Sequence, residues 1–181
     1  MIALAVAFLV QATLAKPYEI PTQSMEPTIQ SGIDEDGVRR SGGDRILANR
    51  LVYRFRDVDR GDIIVFDATT TAREVCRGQD PNVPFVKRVI AIGGDTVRVT
   101  PSGPVVNGEP FVVEDAQLEN GGTLGEVTVP EDHVFVLGDN RGQSCDSVEW
   151  AIAGDPFVPV DRIIGQAEAT YWPLDRIGFL S

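Results

Sequence analysis

Val83-Pro84-Phe85-Val86-Lys87-Arg88-Val89-Ile90-Ala91-Ile92 is an apolar, β-branched run interrupted by two adjacent cations. Read as a strand, it puts alternate side chains on opposite faces. Phe85, Lys87 and Val89 then share one face, and Val86, Arg88 and Ile90 the other. The lysine is the unusual residue. Lys16 and Lys87 are the only lysines among sixteen basic side chains; the rest are arginine. Arginine keeps its proton in a protein, whereas a buried lysine can lose it and become a base. Apolar neighbours on its own face lower an ammonium pKa by desolvation, and a fall from about 10.4 to about 8 costs roughly 3 kcal/mol. The same spacing also fits a lysine that snorkels to solvent at a sheet edge.

Outward from this run the pattern stays β. Arg45–Asn49 and Asp62–Phe66 read as strands, with a break at Asp59-Arg60-Gly61. Thr96–Thr100 alternates cleanly, and Asn107-Gly108 between apolar flanks is the strongest short hairpin signal. Val134–Leu137 runs into the turn Gly138-Asp139-Asn140-Arg141, and Ile163 through Trp172 gives a last strand closed by Pro173. Ser31–Gly43 and Thr69–Asn82 read as polar loops. The expected fold is mainly β, an antiparallel sheet or barrel-like domain.

Composition narrows the function. A chain of 181 residues with 43% apolar content forms one domain, or one with a small appendage. Eighteen glycines and twelve prolines favour turns over long helices. A net charge of −11 with no basic stripe argues against a nucleic-acid partner. Two cysteines, no CxxC and the single histidine His133 make a poor zinc ligand set. His133 opens an apolar run and reads as structural. A Cys76–Cys145 disulfide suits a domain outside the cytoplasm, but the spacing leaves it open.

Met1–Ala15 carries no charged side chain. It is shorter than the roughly 20 residues that span a bilayer. It reads as a cleavable signal ending at Ala15, without the usual basic start, or as a membrane anchor. The anchor is preferred, because the next motif follows so closely. That motif is Ile20-Pro21-Thr22-Gln23-Ser24-Met25-Glu26-Pro27-Thr28, where two prolines restrict the backbone around Ser24. A neutral Lys87 amine within reach would activate the Ser24 hydroxyl without histidine; otherwise Ser24 is a turn or cap residue. A third element, Gly138 to Ser147, gathers Asp139, Arg141, Ser144 and Asp146 in one loop, a composition that turns also favour.

These segments, in this order after an apolar stretch, resemble type I signal peptidases, the membrane-anchored Ser/Lys leader peptidases. Ile20-Pro21-x-x-Ser24-Met25-x-Pro27-Thr28, Gly43-Asp44-Arg45-Ile46, Arg60 to Phe66, Val86-Lys87-Arg88-Val89-Ile90 with Gly94-Asp95, and Gly138-Asp139-Asn140-Arg141-x-x-Ser144-x-Asp146-Ser147 carry the likeness. The resemblance implies an endopeptidase that removes signal peptides from exported preproteins after small residues at −1 and −3. By the same resemblance Ser24 is the nucleophile and Lys87 its general base. Ser144 orients the lysine, and the Ser24 N–H with the Thr22 hydroxyl forms the oxyanion hole. Ile20, Met25, Ile29, Phe85 and Val86 line the substrate pocket. Arg88, Asp139, Asn140, Arg141 and Asp146 support the active-site loop. Extended segments near Ile20–Gln23 and Gly142–Ser144 would receive the substrate strand.

The implied organisation is an N-terminal transmembrane anchor over 1–16 and an extracytoplasmic catalytic domain over 17–181, with a minimal insert around 95–132. The implied setting is the cell (plasma) membrane, single-pass. Partners are signal peptides and the lipid bilayer, with no nucleic acid, cofactor or metal. Two departures stand out: Val148 replaces the family's usual arginine or histidine, and Ala151 its usual glycine. Arg88 or Arg141 is then expected to pair with Asp146. The competing reading is a membrane-tethered β domain that binds peptides with its dyad decayed.

Overall fold

The computed structural model describes residues 15–32, 38, 43–77, 80 and 82–180. Among these, β1 (Ala15–Glu19), β2 (Arg45–Asn49), β3 (Ile63–Phe66), β4 (Phe85–Ile92), β9 (His133–Leu137), β10 (Phe157–Pro159), β11 (Ile163–Trp172) and β12 (Gly178–Phe179) form an eight-stranded antiparallel sheet. Its order is β1-β2-β11-β3-β4-β9-β10, with β12 on β11. A second sheet, in the order β7-β6-β5-β8, comes from β5 (Thr96–Thr100), β6 (Gly103–Val106), β7 (Glu109–Pro110) and β8 (Leu124–Thr128). The Asn107-Gly108 turn closes β6 onto β7 with φ of 52° and 86°. Those left-handed values are the ones a type I′ hairpin requires.

Two short helices complete the described fold, α1 (Thr70–Val75) and α2 (Ser147–Ile152). α1 lies in a segment expected to be loop. Its start is fixed by the Thr69 hydroxyl, which accepts from the Ala72 N–H at 3.1 Å. Of the anchor expected over 1–16, residues 1–14 lie outside the described residues, while Ala15 and Lys16 belong instead to β1, opposite Asn49 and Ala48. No helix among the described residues is long and apolar enough to cross a membrane.

Three apolar clusters hold the elements. Phe66, Phe85 and Trp150 meet under the two helices, and Ile90, Val97 and Phe135 meet between the sheets. Ile20, Met25, Ile29, Ile46 and Ala48 form the third. β4 is buried almost throughout, as its uninterrupted apolar run requires, and it pairs with β3 on one side and β9 on the other. Because β9 ends at Leu137, opposite Arg88, the β4 edge from Lys87 back to Phe85 has no β9 partner. The Ser24 segment enters beside it.

Candidate active site

Ser24 sits in a single 3-10 turn, Gln23–Met25, between Pro21 and Pro27. Met25 is fully buried in the third cluster and pins this turn to the core. Ser24 is 4% exposed, and its Oγ lies 2.7 Å from Lys87 Nζ, which donates to it. The amine also donates to the Val86 carbonyl at 3.1 Å. Lys87 does not snorkel: it is 4% exposed. Burial pulls its pKa down to about 8, while Asp146, Asp139 and Glu149 pull the other way more weakly. The Thr22 hydroxyl lies 3.1 Å from Ser24 Oγ, on the same side of the turn as the amine's target.

The loop after β9 locks this pair in place. Asn140 donates its backbone N–H to the Ser24 carbonyl at 3.1 Å. Arg88 forks onto Asp139 at 2.9 and 2.8 Å, with both side chains buried. Asp139 also accepts from the Thr28 hydroxyl at 2.5 Å. One carboxylate thus ties the Ser24 segment, the Lys87 strand and the loop together. Arg141 donates its Nε to the Gly138 carbonyl at 2.7 Å. Gly138 stands where the three chains converge. A Cβ there would come within 2.3 Å of Ser144 Oγ and 2.4 Å of the Ser24 carbonyl oxygen.

Two expected contacts are corrected. The Ser144 hydroxyl does not hold the lysine: it donates to Asp146 Oδ2 at 2.6 Å. Asp146, in turn, pairs with neither Arg88 nor Arg141. It accepts from the Gly138 N–H at 2.9 Å and the Val148 N–H at 3.2 Å, the latter as the N-cap of α2. Hydroxyl and backbone donors satisfy this carboxylate, and the Asp146–Glu149 capping box uses it fully. Val148 is correspondingly apolar and packs in the cluster between the sheets.

Beside Ser24 lies a hollow of about 30 Å³, lined by residues 18–22, 24–25 and 83–87. That space holds about two water-sized groups. Ile20, Met25, Phe85 and Val86 line it as expected, joined by Tyr18, Val83 and Pro84. Ile29 does not: it is fully buried in the core beneath, because its N–H turns back to the Met25 carbonyl at 2.8 Å. Gly142–Ser144 does not border this hollow either; the second wall is Val83–Val86. The Val83-Pro84 pair just ahead of an apolar strand was the available signal for that wall. His133 lies away from the site, with Nδ1 2.8 Å from the Glu131 carbonyl. Cys76 and Cys145 are joined in a disulfide.

A β scaffold with a shielded amine on a serine hydroxyl, next to a small hollow, is the architecture of a serine hydrolase acting on peptides. The chain belongs to the signal peptidase family, peptidase S26, whose family model matches residues 1–172. It is 36% identical over 173 residues to signal peptidase I of Leptolyngbya laminosa, covering 94% of this chain and 75% of that one. It is 34% identical over 172 residues to probable signal peptidase I-2 of Synechocystis sp., covering 95% and 70%. A solved signal peptidase I from Enterococcus faecalis aligns at 27% identity with a TM-score of 0.46, covering 61% of this chain and 97% of that one. The chain is accordingly a serine endopeptidase that cleaves signal peptides from preproteins.

Proposed function

We propose that Ser24 is the nucleophile of this peptidase and Lys87 its general base. The observation that carries this is the 2.7 Å contact between Lys87 Nζ and Ser24 Oγ, with both side chains buried. With its pKa lowered to about 8, a useful fraction of the amine is neutral near neutral pH. The neutral amine takes the hydroxyl proton as Oγ attacks the scissile carbonyl. The resulting ammonium protonates the departing amine, leaving an acyl ester on Ser24. Water entering the vacated position loses its proton to the same amine and releases the acid. The Ser24 N–H and the Thr22 hydroxyl stabilise the oxyanion, each such donor contributing about 3–4 kcal/mol.

Specificity for small residues at −1 and −3 follows from the hollow beside Ser24, where Ile20, Met25, Phe85 and Val86 leave room for a methyl group. Ser144 acts on the lysine at one remove, through Asp146, whose charge favours the ammonium. Asp139, Asn140, Arg141 and Arg88 keep the loop against the nucleophile. The apolar segment ahead of β1, residues 1–14, tethers the domain to the plasma membrane in a single pass, with β1 and the residues after it outside the cytoplasm. The test is cleavage of a precursor peptide bearing an Ala-x-Ala site by detergent-solubilised protein. Wild type cuts after the second alanine, while Ser24→Ala and Lys87→Arg each lose at least a thousandfold in kcat. Retained cutting in either variant rejects the dyad.

A further inference from the structure

The hollow lined by residues 18–22, 24–25 and 83–87 accounts for the substrate on one side of the cut only. Ser24 has a second neighbour. The 3-10 turn Arg141–Gln143 packs against the Ser24 turn. Here the chain leaving the second sheet crosses over and pairs with the loop. The Gln117 N–H donates to the Asp139 carbonyl at 2.8 Å, and the Arg141 N–H donates to the Gln117 carbonyl at 2.9 Å. This crossing is close-packed: a Cβ on Gly142 would come within 2.7 Å of the Glu119 carbonyl oxygen, and one on Gly121 within 2.7 Å of the Arg141 Cβ.

Between these two segments lies an open groove of about 480 Å³, far larger than the hollow beside Ser24. Its side-chain lining is mostly amide: Gln117, Asn120, Asn140 and Gln143, with Glu119 as its one charge. Gln117, Glu119, Asn120 and Gln143 are exposed. The groove is bound to the nucleophile through Asn140, which lines it and holds the Ser24 carbonyl.

We propose that this groove receives the substrate residues that follow the scissile bond, the start of the mature chain. The proposal rests on Ser24 being the nucleophile. A polypeptide cut at Ser24 must leave the small apolar hollow on the far side of the hydroxyl. Asn140 connects Ser24 directly to the amide-lined side. Amides both donate and accept, so they suit an extended backbone with polar side chains and carry no strong sequence code. Glu119 adds a bias against acidic residues at +2 to +4, strengthened by the net charge of −11.

The experiment compares peptides that share one Ala-x-Ala segment and differ only after the cut: one ending at +1, one continuing with Ser-Gln-Ser-Gln, and one continuing with acidic residues. The polar extension is expected to raise kcat/KM several-fold over the truncated peptide, in keeping with one or two net hydrogen bonds. The acidic extension is expected to fall below the polar one by roughly two- to five-fold, the range of an exposed charge pair. Glu119→Gln should erase most of that acidic penalty. Asp161→Asn removes the same charge from a separate cleft with Arg50 and Arg54 and should keep the penalty. Equal kcat/KM for all three peptides overturns the groove while leaving the dyad intact. An acidic penalty that disappears equally in both variants reflects bulk charge and also overturns it. A wild type that cuts none of them removes the nucleophile assignment, and the groove with it.

Discussion

With Lys87 as the proposed base, its titration sets the expected pH behaviour of this enzyme. Its folded pKa of about 8 lies below its ordinary value of 10.5, because the side chain is buried. The proposed dyad requires a neutral amine to accept the Ser24 proton, so it predicts that kcat/KM rises through a single step near pH 8 and then levels off. A profile flat from pH 6 to 9 would remove Lys87 as the base. Stability shifts in the same direction. Between about 8 and 10.5 the unfolded chain holds more protons than the folded one, so stability increases with pH across that window. Below pH 8 both states are protonated and the whole cost of burying the ammonium, on the order of 3 kcal/mol, is present. Asp139 differs in kind. It is 1% exposed and is the salt-bridge partner of the buried Arg88. Asp139→Ala strands that guanidinium without a counter-charge, which should cost about 3–5 kcal/mol and much of the activity. Denaturant midpoints with and without the substitution measure it; a loss under 1 kcal/mol would mean the pair contributes little.

At the level of elements, the site depends on the close approach of the β9 exit, the Ser24 turn and the Ser144 loop. Only a hydrogen fits on Gly138 at that crossing. Gly138→Ala should push Ser24 and Ser144 apart by an ångström or so and lower kcat about a hundredfold. Near wild-type kcat in a folded variant would show that the crossing yields more easily than its spacing suggests. Strands were legible because their cues are local: β2 and β5 follow the expected spans residue for residue, and Asn107-Gly108 named its own hairpin. α1 was missed because its six residues sit in a polar stretch, where the Thr69 cap is the only start signal. The Ser144 contact was misread for a different reason. A hydroxyl two residues from an aspartate can face it or face a lysine far along the chain, and spacing does not separate these. Asp146-x-x-Glu149 did carry a capping-box signature, which already assigned the Asp146 carboxylate to α2 and away from an arginine. The pairing of Ser24 with Lys87 was reachable because a lone buried lysine needs a partner, whereas the Gln117 crossing leaves no mark in residue types.

Across the whole molecule, one covalent tie joins parts that the sheets leave separate. Cys76 caps the C-terminal end of α1, and Cys145 directly precedes the N-cap of α2, 69 residues away. Trp150 packs against the same junction and donates its indole N–H to Cys76 Sγ at 3.1 Å. Closing a loop of that length restricts the unfolded chain and stabilises the fold by roughly 2–4 kcal/mol. For a chain of this size, each kcal/mol shifts Tm by about 2–4 °C. The Cys76→Ala/Cys145→Ala double variant should therefore melt roughly 5–15 °C lower. Activity should fall below the melting range too, because residue 145 lies between Ser144 and Asp146, whose hydrogen bond sets the charge near the lysine. Loosening that loop lets water reach the amine and raises its pKa, so the step in kcat/KM should move up from about 8 towards 10.5. Thermal unfolding and a pH–rate profile, run on wild type with and without dithiothreitol and on the double variant, read both effects. A lower Tm with an unmoved profile would confine the disulfide to stability. A displaced profile at temperatures where the fold is intact would make it part of how the base is tuned.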